Sequence, residues 1–227
     1  MNSICIFGDS ISKGVVFDAV RKRYSILKDN FANLIGREGV FVKNHARFGC
    51  TVTEGMDILS RHGEAPGVCD LTLLEFGGND CDYNWAEVSR DPLRKHDCKT
   101  PIALFSEKYK TMIDAVVSSG GKPLLLTLPP IDERRYFAWI SKGLNADRII
   151  DFLGSVRTIF TWQETYSGIA RTLSKVCNAP LIDIRAGFLA LRDYRDSLCE
   201  DGIHPNETGH QLIFEILKSE LMPTFGA

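Results

Sequence analysis

"SICIFGDSISKG" (residues 3–14) runs from an apolar stretch into Gly8-Asp9-Ser10, then into Ser12 and Gly14. Its first five residues have the continuous, β-branched character of a strand buried on both faces, which belongs to parallel sheets. Ser10 therefore stands at the carboxyl end of a strand, directly behind a glycine and an aspartate. Taken alone, such a serine could cap a helix, help to cradle an anion or act as a nucleophile. The spacing matches neither G-x-x-x-x-G-K-[ST] nor G-x-G-x-x-G, which disfavours the cradle. The choice between cap and nucleophile has to come from the rest of the chain.

Four further runs read as buried strands: residues 40–46, 71–77, 123–129 and 179–184, the first of these interrupted by Lys43 and Asn44. Helical stripes fill the gaps. Phe105, Tyr109, Met112, Ile113, Val116 and Val117 form one, ended by Ser118-Ser119-Gly120-Gly121. Ile159, Trp162, Tyr166, Ile169, Leu173 and Val176 form a second, on which Trp162 and Tyr166 read as packing residues. Leu212, Ile213, Ile216, Leu217 and Leu221 mark a last helix; residues 19–35 read as a first and 52–61 as a short one. Alternating strands and helices imply an α/β fold, a parallel sheet with helices on both faces. No linker or repeat divides it, so residues 1–227 read as one domain. Two connections, 78–104 and 129–157, exceed what a crossover needs, and both start at strand carboxyl ends, where ligands usually bind. They carry Tyr83, Trp85, Tyr136, Phe137 and Trp139, and the charged run 132–135 reads as a solvated loop.

With 227 residues and a formal net charge of −2, the chain is long enough for a proper core and lacks the basic excess that draws proteins to nucleic acid. No apolar stretch approaches the roughly 20 residues of a membrane span, and the N-terminus lacks the pattern of a signal peptide. Seven cysteines, an odd number with no C-x-x-C pair, point away from zinc sites and disulfide frameworks. The expectation is reduced thiols in a cytoplasmic protein.

A serine nucleophile needs a base, a group to orient that base, and donors for an oxyanion. "CEDGIHPNETGHQ" (199–211) supplies Asp201 and His204 in a glycine-containing turn ahead of a helix. At that spacing a carboxylate can reach the imidazole Nδ1 of its own turn and leave Nε2 for the serine proton. "EFGGND" (75–80) puts Asn79 at a strand end, where its amide could donate to an oxyanion, and "ARFGCT" (46–51) offers the N–H of Gly49. Each piece has a plainer reading, as a helix-start hydrogen bond or a turn residue. Together they fall on one predicted edge of the sheet. The other histidines have no such company.

With these motifs in this order, the chain resembles the SGNH (GDSL-type) hydrolase family. "FGDSIS" resembles its first block, "RFGCT" the glycine block, "GGND" the asparagine block and "DGIHP" the block of acid and base. The resemblance implies a three-layer α/β/α fold around a five-stranded parallel sheet. It also implies a catalytic triad of Ser10, His204 and Asp201, an oxyanion hole formed by the Ser10 and Gly49 N–H groups with the Asn79 side chain, and no metal or cofactor. Ile11 replaces the usual leucine, and Cys50-Thr51 make the glycine block the weakest match. The implied substrate is a small-molecule ester, with a short acyl group on a carbohydrate preferred. A lysophospholipase or thioesterase with a continuous apolar pocket, and a catalytically silent carbohydrate-binding protein, stand as alternatives. A flavodoxin-like nucleotide binder shares the architecture but would want a phosphate loop that is missing.

Overall fold

The computed structural model describes residues 3–63 and 65–225. Five strands form one parallel sheet: β1 (Ser3–Gly8), β4 (Phe41–Asn44), β5 (Leu71–Glu75), β6 (Pro123–Leu126) and β7 (Leu181–Ile182), in the spatial order β4-β1-β5-β6-β7. Two more, β2 (Val15–Asp18) and β3 (Arg23–Ile26), pair with each other as an antiparallel hairpin. The helices are α1 (Ser10–Lys13), α2 (Phe31–Arg37), α3 (Val52–Arg61), α4 (Ala65–Val68), α5 (Trp85–Arg90), α6 (Ile102–Ser118), α7 (Glu133–Ile140), α8 (Ala146–Leu153), α9 (Arg157–Val176), α10 (Ile184–Leu189) and α11 (Glu207–Phe225).

Alternation along the strands sorts the core into two halves. Ile4, Ile6, Leu73, Leu124, Leu126 and Ile182 join Phe31, Ile35, Phe188, Ile213 and Leu217 from α2, α10 and α11. Cys5, Phe7, Leu74 and Leu125 join Val52, Phe105, Met112, Val116, Tyr166 and Leu173 from α3, α6 and α9. These are the three layers that the run of apolar strands implies. The order reverses at β1, whose neighbours are the next sheet strand on one side and the one after that on the other. A crevice opens beyond the carboxyl ends at such a point. Ser10 follows β1 and Asn79 follows β5, so the switch point brings the two motifs together.

Two sequence expectations are corrected. Residues 19–35 do not form one helix. Val15 pairs with Ile26 and Phe17 with Tyr24 in the hairpin, and only α2 is helical. The Ala, Arg and Lys residues at 19 and 21–23 favour helix locally, but Phe17 and Tyr24 gain more by packing edge-on to Trp139, at ring separations of 4.6 and 6.3 Å. The long connections contain α5, α7 and α8. The 132–135 run is not simply solvated: Asp132 and Glu133 are buried, and Asp132 caps α7 by accepting the Arg134 and Arg135 N–H groups.

The reduced-thiol expectation also fails at one pair. Cys5 on β1 and Cys69 just before β5 form a disulfide, with 5.8 Å between their Cα atoms. Parallel pairing of β1 with β5 sets them side by side although 64 residues separate them in the chain. This pairing removes the free-thiol argument for a cytoplasmic address. Thiol labelling of the denatured, unreduced protein should count five cysteines, rising to seven after reduction. Seven before reduction would break the pairing.

Candidate active site

The turn between Cys199 and Pro205 is built by its own backbone. Cys199 N–H donates to the His204 carbonyl at 2.8 Å and Gly202 N–H to the Cys199 carbonyl at 3.0 Å. Gly202 sits at φ +77°, and a Cβ there would come within 2.7 Å of the Asp132 carbonyl oxygen, so the turn and the α7 loop can meet only at a glycine. Inside this turn Asp201 Oδ1 accepts the Ile203 and His204 N–H groups, both at 3.1 Å. Asp201 Oδ2 lies 2.6 Å from His204 Nδ1. Burial opposes ionisation of Asp201, but the hydrogen bonds from His204 and the two backbone N–H groups outweigh it and hold its pKa below the ordinary value. With an ionised acceptor at Nδ1, that nitrogen carries the proton, and Nε2 is left to accept from Ser10 Oγ at 2.9 Å.

Ser10 is presented by the sharp exit from β1. Asp9 caps α1 by accepting Ile11 N–H at 2.8 Å, so the chain turns and Ser10 becomes the first helical residue. Gly49 takes φ +73°, a left-handed conformation open to glycine. The Ser10 and Gly49 N–H groups donate to no backbone carbonyl among the described residues. Asn79 is half-buried, and its Nδ2 donates to Asp9 Oδ2 at 3.0 Å. Ser10, Gly49, Asn79 and His204 all line one cavity. The five residues expected from sequence are thus gathered at one place, 194 positions apart at the Ser10–His204 contact.

Asp80, given no role by the sequence reading, is fully buried and accepts Val52 N–H at 3.0 and 3.2 Å. It therefore fastens the start of α3, and with it the Gly49 loop, to the Asn79 loop. Burial pushes its pKa up to about 6, against the lowering by the Thr100 hydroxyl and Val52 N–H bonds.

The cavity measures about 330 Å³, within the range of roughly 300–1,000 Å³ for small-molecule sites. Its wall carries the apolar and aromatic side chains Tyr83, Trp85, Ile131, Phe152, Leu153, Ile159 and Trp162, with Asp82, Tyr136, Thr158 and Gln163 among them. Tyr83 and Trp85 are aromatics expected in the first long connection; Trp162, read as packing, does pack against the core and Tyr166, and it lines the cavity as well. Its helix faces the core along most of its length, but its first turns reach the sheet edge, where the ring meets the cavity and Nε1 donates to the Cys81 carbonyl at 2.9 Å. Tyr166, one turn on, is buried packing as expected. Beside His204 stand Tyr24 from the hairpin and Phe48, their rings 5.2 and 6.1 Å from the imidazole. Nothing in the local sequence pointed to these two; only the hairpin, which was read as helix, delivers Tyr24.

These residues lie at the carboxyl edge of the parallel sheet in an α/β/α architecture. The family model for GDSL-like lipases and acylhydrolases matches residues 6–212, and the chain belongs to that family. No curated protein matches the chain in sequence. Among solved structures, a lipase/acylhydrolase from Enterococcus faecalis is similar at 23% identity and TM-score 0.65, over 99% of this chain and 97% of its own. The acetyl xylan esterase AlAXEase is similar at 20% identity and TM-score 0.66, over 96% of this chain and 99% of its own. TesA is similar at 19% and 0.62, over 98% and 99%.

Asp80 supplies a pH test. Its raised pKa means that the folded state binds the proton more tightly than the unfolded state. Its contribution to stability is therefore complete below the unfolded pKa near 3.8 and is lost as pH rises through about 6. In denaturant titrations the wild type should lose about 3 kcal/mol more than Asp80→Asn between pH 3.5 and 7. Parallel pH profiles would contradict this account of the carboxyl.

Proposed function

We propose that the protein is a serine carboxylic ester hydrolase that works through an acyl-enzyme. The carrying observation is the continuous hydrogen-bond chain from Asp201 through His204 to Ser10 at the wall of the cavity. Ser10 Oγ attacks the ester carbonyl carbon while His204 Nε2 takes its proton, and the carbonyl π electrons move onto the oxygen. Asp201 holds the imidazole in the required tautomer and stabilises the imidazolium. The Ser10 and Gly49 N–H groups and the Asn79 amide receive the oxyanion. When the oxyanion collapses, the ester C–O bond breaks and His204 protonates the departing alcohol. Water then repeats the two steps on the acyl-enzyme, releasing the acid and restoring Ser10. Every step is served by this chain's own residues.

The apolar arm of the cavity supports an acyl group longer than acetyl. Asp82, Tyr136 and Gln163 along it are already committed within the protein. Asp82 accepts from Trp85 Nε1 at 2.8 Å, Tyr136 OH at 2.7 Å and Lys99 Nζ at 3.1 Å. Gln163 donates to the Pro129 carbonyl and accepts from Arg185. A wall of this kind suits an apolar chain better than a polyol, because it offers few unpaired groups for hydroxyls. A thioesterase or lysophospholipase type of substrate fits that arm.

Removal of a short acyl group from a carbohydrate is the second reading. It draws on the aromatic rings of Tyr24 and Phe48 beside His204, where the leaving alcohol is protonated. Phe48 is 53% exposed and presents a face to an arriving ring.

A p-nitrophenyl ester series from acetate to palmitate, with Ser10→Ala beside the wild type, separates these readings. Turnover should depend on Ser10 and rise from acetate to octanoate. Leu153→Trp, which fills the arm, should lower kcat/KM for octanoate by roughly tenfold or more and leave acetate nearly unchanged. A steep fall beyond acetate would transfer the assignment to the short-acyl reading. No Ser10-dependent turnover on any ester would leave a binding protein. Asn79→Ala should cost roughly 10²–10³ in kcat if that amide serves the oxyanion.

A further inference from the structure

The arm of the cavity keeps a fixed donor in reserve. Gln163, on α9, lines the cavity and is 7% exposed. Its Nε2 donates at 2.8 Å to the carbonyl of Pro129, just beyond β6, and its Oε1 accepts from Arg185 Nη1 at 2.7 Å. A primary amide carries two N–H groups, and the second has no acceptor among the described residues. Other donors along the wall are used inside the protein. The Tyr136 hydroxyl donates to Asp82, the Thr158 hydroxyl to the Leu153 carbonyl and the Trp162 indole N–H to the Cys81 carbonyl.

The Gln163 amide cannot turn over. Arg185 donates and never accepts, and its charge is permanent in a protein. A half-turn of the amide would set donor against donor at Arg185 and oxygen against oxygen at Pro129. Arg185 is itself a poor packing residue. Its side chain, on α10, is 0% exposed, and its Nε and Nη2 have no hydrogen-bond partner. Glu164 Oε1 stands 3.7 Å from Nε, and the Phe160 ring lies 4.7 Å from the guanidinium carbon. Burying a cation with two nitrogens unsatisfied is less favourable than burying an apolar side chain of the same size. What Arg185 secures is an amide locked in one orientation and polarised by a charge at its oxygen.

We propose that Gln163 is a specificity-determining residue for the acyl group: its second N–H faces the arm and hydrogen-bonds an oxygen carried by the acyl chain, a keto, ether or hydroxyl oxygen set among methylenes. The proposal rests on the ester-hydrolase reading and deepens it, from an apolar acyl chain to an oxygenated one. Ile131, Phe152, Leu153 and Ile159 take the methylenes. A chain of methylenes alone would leave the N–H buried without a partner. That is how a site built for a hydrogen-bonding group discriminates against the analogue that lacks it.

An oxygen scan of the acyl chain tests this. p-Nitrophenyl octanoate is compared with esters in which an ether oxygen replaces the methylene at position four, five, six or seven, a change that nearly preserves shape. In the wild type one of these should reach a kcat/KM at least equal to that of octanoate. The others should fall below it, since an ether left unpaired against an apolar wall has lost its water. Gln163→Glu keeps an acceptor for Arg185 and removes both N–H groups, and the favoured ether should then lose roughly tenfold or more against octanoate. Should that variant fail to fold, Gln163→Met combined with Arg185→Met removes the amide and the charge together, with the same expected loss. Calorimetric binding of the same esters to Ser10→Ala should show the same preference in Kd. The proposal is overturned if every ether falls below octanoate in the wild type, if the favoured ether keeps its advantage in the Gln163 variants, or if Ser10→Ala binds no ether at least as tightly as octanoate. An absence of Ser10-dependent turnover would instead remove the hydrolase reading, and the binding series would still decide the role of Gln163.

Discussion

Parallel pairing of β1 with β5 is the constraint on which the rest depends. The register that sets Gly8 opposite Glu75 ends both strands at the same edge of the sheet. From that edge one chain turns into Asp9-Ser10 and the other into Gly77-Gly78-Asn79-Asp80. Hydrophobic alternation fixes the register, since a slip by one residue would exchange the two faces of Ile4, Cys5, Ile6 and Phe7. The packing of aliphatic side chains on two helical layers therefore controls the position of polar atoms at the sheet edge to within a hydrogen bond.

That edge concentrates buried carboxyls: Asp9, Glu75, Asp80 and Asp201 are all at most 1% exposed. Isolated, each would be costly to bury. Here each is a junction. Asp201 closes its own turn and holds His204; Asp80 joins the α3 start to the Asn79 loop; Asp9 joins the nucleophile turn to Asn79. Three loops that are remote in sequence are thereby tied by short bonds at the place where a reaction requires several groups to be fixed relative to one another. Asp201 and Asp80 also show how neighbours divide similar residues. Backbone and imidazole donors keep the first ionised, while burial outweighs the donors to the second.

The cavity is assembled differently. Its wall comes from two long connections that meet across it: Tyr83 packs edge-on to Phe152 at 5.2 Å, and the Tyr136 hydroxyl reaches Asp82. The hairpin adds Tyr24 on the side of His204. Chemistry is thus placed by strand ends and shape by insertions between them. Because the insertions lie outside the sheet register, they can change the ligand without moving the reacting groups.

The parts that local chemistry dictates were legible from the residues. The five sheet strands, the helices of the Tyr109, Tyr166 and Leu217 stripes, and the 52–61 helix follow from apolar periodicity. The Asp201–His204 turn follows from three-residue spacing around a glycine, since every bond that builds it is local. Ser10, Gly49 and Asn79 were recognisable because each lies at a strand's carboxyl end, a property that sequence reports. The hairpin was not legible, since its helix-favouring tip is overruled by contacts with Trp139 more than a hundred residues away. The Cys5–Cys69 pair and the Trp162 face of the cavity were hidden for the same reason. What sequence alone determined is the order of strands along the chain and which motifs stand at their carboxyl ends, because period and spacing are properties of neighbours. What only the tertiary structure decided is which distant atoms touch, Asp9 with Asn79 and Asp80 with Val52 among them, because those contacts exist only after the sheet has chosen its register.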